Sequence, residues 1–298
     1  MDSKKIESES RQAGTNAFLP ADTGFPMKKT PKLLFVIILL LTIDSSYAQK
    51  RIGFAYYDLD RLYDTIPSLF YNDTDYTPDG RLHWNHERYR VKVELVAKTI
   101  VRMEMPLVGL YGVENEAVVK DLVQASSLPY SYIHRTLNSL DGMDFALLYY
   151  GDRFFPERIE EGYGYLCIEG TMDDNPLAIL LTRGNRFAAE LIEEIRDRTP
   201  NVRILCAGKL PAHAANDLQL QDALAQAENQ GRGNAYSQRG WWLHDRILTD
   251  RSFSILRADI FARRDMLDPH SGAPRPVYYR KSYAGGSGHY FPIFLYIK

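Results

Sequence analysis

Residues 89–125 read YRVKVELVAKTIVRMEMPLVGLYGVENEAVVKDLVQA, and this stretch decides the fold class. In its first part Tyr89, Val93, Val96, Ala97, Ile100 and Val101 recur at spacings of three and four, which predicts a helix with one apolar face. Pro106 ends it. The run Leu107-Val108-Gly109-Leu110-Tyr111 that follows is short and continuously apolar, as in a strand covered on both faces. Glu116 to Ala125 then returns to helical spacing. A helix, a buried strand and a second helix in direct succession argue for a layered α/β domain.

The same alternation continues outward. Ile52 to Leu59 predicts a strand, and Asn72-Asp73-Thr74-Asp75-Tyr76-Thr77-Pro78-Asp79-Gly80 is dense enough in turn formers to be a loop. Tyr130 to His134 and Phe145 to Tyr150 predict further strands, and Tyr165 to Glu169 with Leu177 to Thr182 predict a hairpin across Asp173-Asp174-Asn175. Arg186 to Arg198 reads as an amphipathic helix through Phe187, Leu191 and Ile195, stopped by Pro200, and Val202 to Ala207 as a strand. No repeat, low-complexity tract or interior linker interrupts the pattern, so one α/β domain with a mixed sheet or two stacked sheets is expected over residues 49–298.

The N-terminal 48 residues read differently. From Met27 the sequence MKKTPKLLFVIILLLTIDSSYAQ sets Lys28, Lys29 and Lys32 before an apolar run, Leu33 to Ile43, and then Ser46-Tyr47-Ala48. This is the pattern of a secretory signal peptide over 27–48; the run falls short of the roughly 20 residues a membrane span needs. The polar, patternless residues 1–26 are expected to be a mis-assigned upstream extension. The protein is therefore expected to be exported, periplasmic or secreted, with no permanent membrane span.

The whole chain has 298 residues and a formal charge of −2, and residues 49–298 carry 30 Lys+Arg against 33 Asp+Glu. That balance supplies no global field for a polyanion, so nucleic acid is an unlikely partner. Two cysteines, Cys167 and Cys206, form neither a disulfide framework nor a zinc motif. An oxidising compartment would permit a bridge between them, while the apolar run around each suits a buried free thiol. His83 and His86 are close enough to share a metal only on one helix face, and Asp73, Asp75 and Asp79 lack the remaining ligands of a calcium loop. There is no Gly-x-Ser-x-Gly elbow and no P-loop.

Five segments carry a resemblance when taken in order: Tyr56-Tyr57-Asp58-Leu59-Asp60, Gly109-Leu110-Tyr111-Gly112-Val113-Glu114-Asn115, Asp141-Gly142-Met143-Asp144-Phe145-Ala146-Leu147-Leu148-Tyr149, Trp241 to Thr249, and Gly285-Gly286-Ser287-Gly288-His289-Tyr290-Phe291-Pro292-Ile293. Together they resemble the endonuclease/exonuclease/phosphatase family, which is DNase I-like, over nearly all of residues 49–298. The resemblance implies a four-layered α/β sandwich, two stacked mixed sheets flanked by helices, and magnesium-assisted cleavage of phosphoesters.

That chemistry needs carboxylates on a divalent cation, a base for water and donors on the developing oxyanion. At the family-site positions this chain departs from the pattern. Asp58 stands for the expected Asn, and Gly112 for the Glu that supplies the principal metal carboxylate, with Glu114 two residues on. Lys209 follows Gly208 in place of the Asp of Gly-Asp-Phe-Asn, and Leu180 to Gly184 contains no histidine. His289 and Tyr290 fall on the Asp and His of the terminal motif. Asp144 and Asp245 remain.

The resemblance with these losses implies a catalytically inactive, exported binding or scaffold protein, for which no cofactor is expected. Its expected partner is a protein of the cell envelope. Tyr56, Tyr57, Tyr111 and Tyr290 would fill the former cleft or pack in the core, and Arg183, Arg186 and Lys209 would gather an anion there. The alternative is a metal-dependent phosphodiesterase, phosphatase or nuclease acting on a phosphoester through a rearranged magnesium site of Asp58, Glu114, Asp144 and Asp245.

Overall fold

The computed structural model describes residues 51–298, within the compact unit Gln49–Lys298. The expected upstream extension and signal peptide lie outside the described residues. The first sheet contains β1 (Ile52–Leu62), β2 (Leu107–Val113), β3 (Tyr130–Arg135), β4 (Asp144–Tyr150), β13 (Ile255–Ile260) and β16 (Ile293–Ile297), in the order β13-β16-β1-β2-β4-β3. The second contains β5 (Phe154–Gly162), β6 (Tyr165–Met172), β7 (Asn175–Thr182), β8 (Arg203–Gly208), β9 (Gln221–Asp222) and β12 (Arg246–Thr249), in the order β5-β6-β7-β8-β12-β9. Two hairpins, β10 (Ala235–Ser237) with β11 (Gly240–Trp242) and β14 (Tyr278–Tyr279) with β15 (Ser282–Tyr283), stand apart. Both large sheets are mixed: β1 runs parallel to β2 and β7 to β8, and the other pairings are antiparallel.

Burial along β7 shows why its sequence is apolar without alternation. Leu177, Ile179 and Leu181 join the core between the sheets, whereas Ala178 and Leu180 join a second core under α3 (Ala188–Arg198). A strand covered on both faces needs an apolar residue at every position. On the opposite side α1 (His86–Met103) and α2 (Glu116–Ser126) cover the first sheet, each capped by an asparagine: Asn85 accepts from Arg88 N and Asn115 from Val118 N. The result is helix, sheet, sheet, helix, the expected four layers. Gly109 in β2 lets the sheets approach, since a Cβ there would lie 2.6 Å from Leu181 Cδ2.

Some sequence expectations change. The helix expected from 186 begins at Ala188, and the strand expected to end at Leu59 continues to Leu62 through Asp60 and Arg61, both with positive φ. β5 has no counterpart in the sequence reading. His83 precedes the helix that begins at His86 and has φ +47, so the two histidines share no helix face. Cys167 and Cys206 are free and buried. Each pairs with Leu180 from opposite sides, so β7 separates them by two strand spacings, about 9–10 Å, beyond disulfide reach. Among the described residues no helix is long and apolar enough to cross a membrane.

Candidate functional site

The parallel pairs β1/β2 and β7/β8 end on the same side of the stacked sheets, where open α/β folds place ligands. Asp58 lies at the end of the regular pairing of β1, opposite Tyr111; Gly112 occupies the irregularity that follows; and Thr182, Gly208 and Arg246 sit side by side in the second sheet. His244 and Asp245 immediately precede β12 and face Asp58 across the gap between the sheets. His244 Nε2 is 3.6 Å from Asp58 Oδ2 and 4.0 Å from Asp245 Oδ1. These three donors lie within 4.8 Å of one another, and all three residues are buried.

The surroundings hold each of them in place. Asp58 Oδ1 accepts the Asp60 N–H at 2.9 Å. Asn234 Nδ2 donates to Asp245 Oδ2 at 2.8 Å, while Asn234 Oδ1 accepts the His244 N–H at 2.8 Å. The imidazole of His244 stacks on Tyr290, with ring centroids 3.9 Å apart and planes 14° from parallel, and meets Trp242 edge-on at 5.1 Å. Three atoms of this neighbourhood, Tyr56 OH, His244 Nδ1 and Asp245 Oδ1, are buried with no hydrogen-bond partner. Burial, with Asp58 beside it, pushes the Asp245 carboxyl well above its ordinary range. Burial also raises the Tyr56 hydroxyl, reinforced by the charges of Asp245 and Asp58.

The other expected site residues are dispersed. Glu114 is occupied structurally, accepting from Asp64 N and from Tyr71 OH at 2.8 Å. Asp144 accepts from the Leu137 N–H at 2.8 Å and pairs with His134 Nε2 at 3.0 Å. Of the four carboxylates expected to share a metal, only Asp58 and Asp245 meet; Glu114 and Asp144 serve loop backbone instead. Lys209 is exposed, its backbone N–H bonded to Thr182 O. His289 Nδ1 lies 2.5 Å from Asp60 Oδ2, and the His289 N–H donates to the same oxygen at 3.2 Å. Beneath them the buried Lys92 donates to Asp60 O and Arg61 O.

Tyr57 donates to Ser287 Oγ in the core, and Tyr56 is buried beside the Asp58 cluster. Tyr111 and Tyr290 are the two that border the cleft. Beside the cluster opens a recess of about 510 Å³ lined by residues including Tyr111, Tyr163, Arg183, Arg186 and Phe187. The Arg183 guanidinium lies 4.4 Å from the Tyr111 ring centroid. Two of the three expected cations thus share the recess, and Lys209 is not among its lining residues.

The sequence reading missed His244 and Asn234. The signal for His244 was its place next to Asp245 at the end of Trp241-Trp242-Leu243; Asn234, the residue before the short strand β10, lies in none of the segments that carry the resemblance. The magnesium that the resemblance implies suits this cluster poorly. Magnesium favours six oxygens and keeps several waters, whereas the converging donors are two carboxylates and an imidazole nitrogen in a buried position.

Residues 53–162 match the model of the endonuclease/exonuclease/phosphatase family. No curated protein sequence matches the chain. Among solved structures, a family protein from Bacteroides thetaiotaomicron aligns with TM-score 0.56 at 17% identity over 85% of this chain and 96% of that one. One from Bacteroides vulgatus aligns with TM-score 0.57 at 12% identity over 84% and 99%. A mannosyl-6-phosphatase from Bacteroides thetaiotaomicron aligns with TM-score 0.53 at 16% identity over 83% and 99%. At such identities these structures share the fold with this chain. Residues 53–162 thus resemble the endonuclease/exonuclease/phosphatase family, and the two stacked mixed sheets have the DNase I-like fold of the solved structures.

Proposed function

We propose that this chain is a non-hydrolytic member of its family that works by binding an anionic partner at the mouth of the old cleft. One observation carries the reading: the charged groups gathered at the strand ends, Asp58, His244 and Asp245, are 5, 6 and 1% exposed. A catalytic group has to touch its substrate, and these lie beneath Tyr290 and Trp242. Gly112 stands where the resemblance calls for the main metal carboxylate. The recess beside them instead offers two guanidinium groups on an aromatic wall, a combination that fits an acidic side chain or a phosphate attached to an apolar body. The signal-like segment 27–48 supports a partner outside the cytoplasm, a protein of the cell envelope.

The test is turnover. With millimolar magnesium or manganese, the purified chain should hydrolyse a chromogenic phosphodiester and phosphomonoester no faster than buffer. Hydrolysis well above buffer that Asp245→Ala abolishes would overturn the reading. The convergence of Asp58, His244 and Asp245 favours the second reading, a phosphoester hydrolase with a rearranged metal site, and that outcome would establish it.

A further inference from the structure

We propose that Asp58, His244 and Asp245 form a buried site for one borderline divalent transition ion of the zinc class, which joins the two sheets. The site differs from the magnesium site implied by the resemblance in its donors, which include an imidazole, and in its seclusion from the cleft.

Each carboxylate has one oxygen held by the protein, Asp58 Oδ1 by the Asp60 N–H and Asp245 Oδ2 by Asn234. The other oxygens, Asp58 Oδ2 and Asp245 Oδ1, are the two that approach His244 Nε2. Outer hydrogen bonds of this kind orient metal ligands, and the imidazole is held instead by stacking on Tyr290 and an edge contact with Trp242. A point between the three donors lies roughly 2–3 Å from each, close to the 2.0–2.2 Å of zinc–nitrogen and zinc–oxygen bonds.

Two independent observations indicate that something belongs there. Asp245 Oδ1 and Tyr56 OH are buried and unpartnered, and buried polar atoms are ordinarily satisfied. Two carboxylates have also been taken out of water with no lysine or arginine bonded to either, and an unpaired buried charge is expensive. A divalent cation neutralises both and engages Asp245 Oδ1. An imidazole with two carboxylates suits zinc better than magnesium. Because Asp58 ends the regular pairing of β1 with β2 in the first sheet and His244-Asp245 immediately precede β12 of the second, the ion ties one sheet to the other.

The full chain, stripped with chelator and dialysed, is titrated with zinc and, separately, with magnesium. Expected are one tightly held zinc per chain by elemental analysis, a melting temperature that climbs with zinc concentration, and no shift with millimolar magnesium. Asp245→Asn and His244→Gln should each lower the affinity at least tenfold, whereas Asp144→Asn, at a buried carboxylate outside the site, should retain it. If those site variants fail to fold, cobalt added to the unmodified chain decides, the visible bands of a low-coordinate nitrogen/oxygen site being expected. The proposal is overturned by absence of stoichiometric zinc, by equal zinc binding in folded His244→Gln, by a preference for magnesium, or by a featureless cobalt spectrum. It stands or falls independently of phosphoester turnover, which tests the proposed function.

Discussion

Replacing Gly112 by glutamate restores the residue type the family resemblance calls for, and the structure predicts that it damages the protein instead of reviving a reaction. Gly112 has φ +85, a backbone conformation that costs a residue with a Cβ about 1–2 kcal/mol. A Cβ there would lie 3.2 Å from Arg61 N and 3.7 Å from Asp58 Oδ1. A glutamate carboxylate would then stand about 5 Å from Asp58. At an effective dielectric near 20 the repulsion is about 3 kcal/mol. Gly112→Ala and Gly112→Gln should each lose about 1–2 kcal/mol and Gly112→Glu about 4–5 kcal/mol, a large share of the roughly 5–15 kcal/mol typical of a domain. Urea unfolding followed by tryptophan fluorescence measures all three. If Gly112→Glu is no less stable than Gly112→Gln, the placement of Asp58 against this position is wrong. If it acquires magnesium-dependent phosphodiesterase activity, the non-hydrolytic reading is wrong as well.

Burial first, and then the nearby Asp64 and Asp73, push Glu114 up to about 7 against the hydrogen bonds from Asp64 N and Tyr71. The folded chain therefore keeps a proton that the unfolded chain releases between about pH 4.5 and 7, so stability falls as pH rises through that window. Glu114→Gln should remove about 1–2 kcal/mol of that fall in denaturation curves at pH 5 and pH 8; an unchanged difference between the two pH values would refute it. Cys167 and Cys206 should resist thiol reagents in the native chain and both react once it is unfolded without reductant, because burial pushes Cys167 up to about 12 and raises Cys206 as well. Two thiols appearing only after reduction would contradict the strand register. Asn115→Ala should cost about 1–2 kcal/mol by equilibrium unfolding, since Asn115 both caps α2 and donates to Asp64 Oδ2; a loss below about 0.3 kcal/mol would deny the cap its role.

The layers were legible because the residues that build them follow strong periods. The run Leu107 to Tyr111 reads as a buried strand and Leu177 to Thr182 as one arm of a hairpin, and α1 announces itself through Tyr89, Val93, Val96 and Ile100. β5 escaped because it is an edge strand carrying Pro156, with Glu157, Arg158 and Glu161 exposed and only Phe154 buried. In the site, Asp58 and Asp245 could be picked out as acids at strand ends. Glu114 and Asp144 look the same in sequence, but which backbone N–H groups a loop turns toward a carboxylate depends on segments such as Asp64 and Leu137 that arrive from elsewhere. The same long-range assembly hid Asn234.

β16 lies inside the first sheet, hydrogen-bonded to β13 on one side and β1 on the other. Residues 52–56 therefore cannot acquire one of their two neighbours until residues 293–297 have been synthesised, and until then the edge of β1 is open. Such a distant pairing is slow to form. Removing residues 293–297 would therefore leave an aggregation-prone polypeptide instead of a slightly shorter native one.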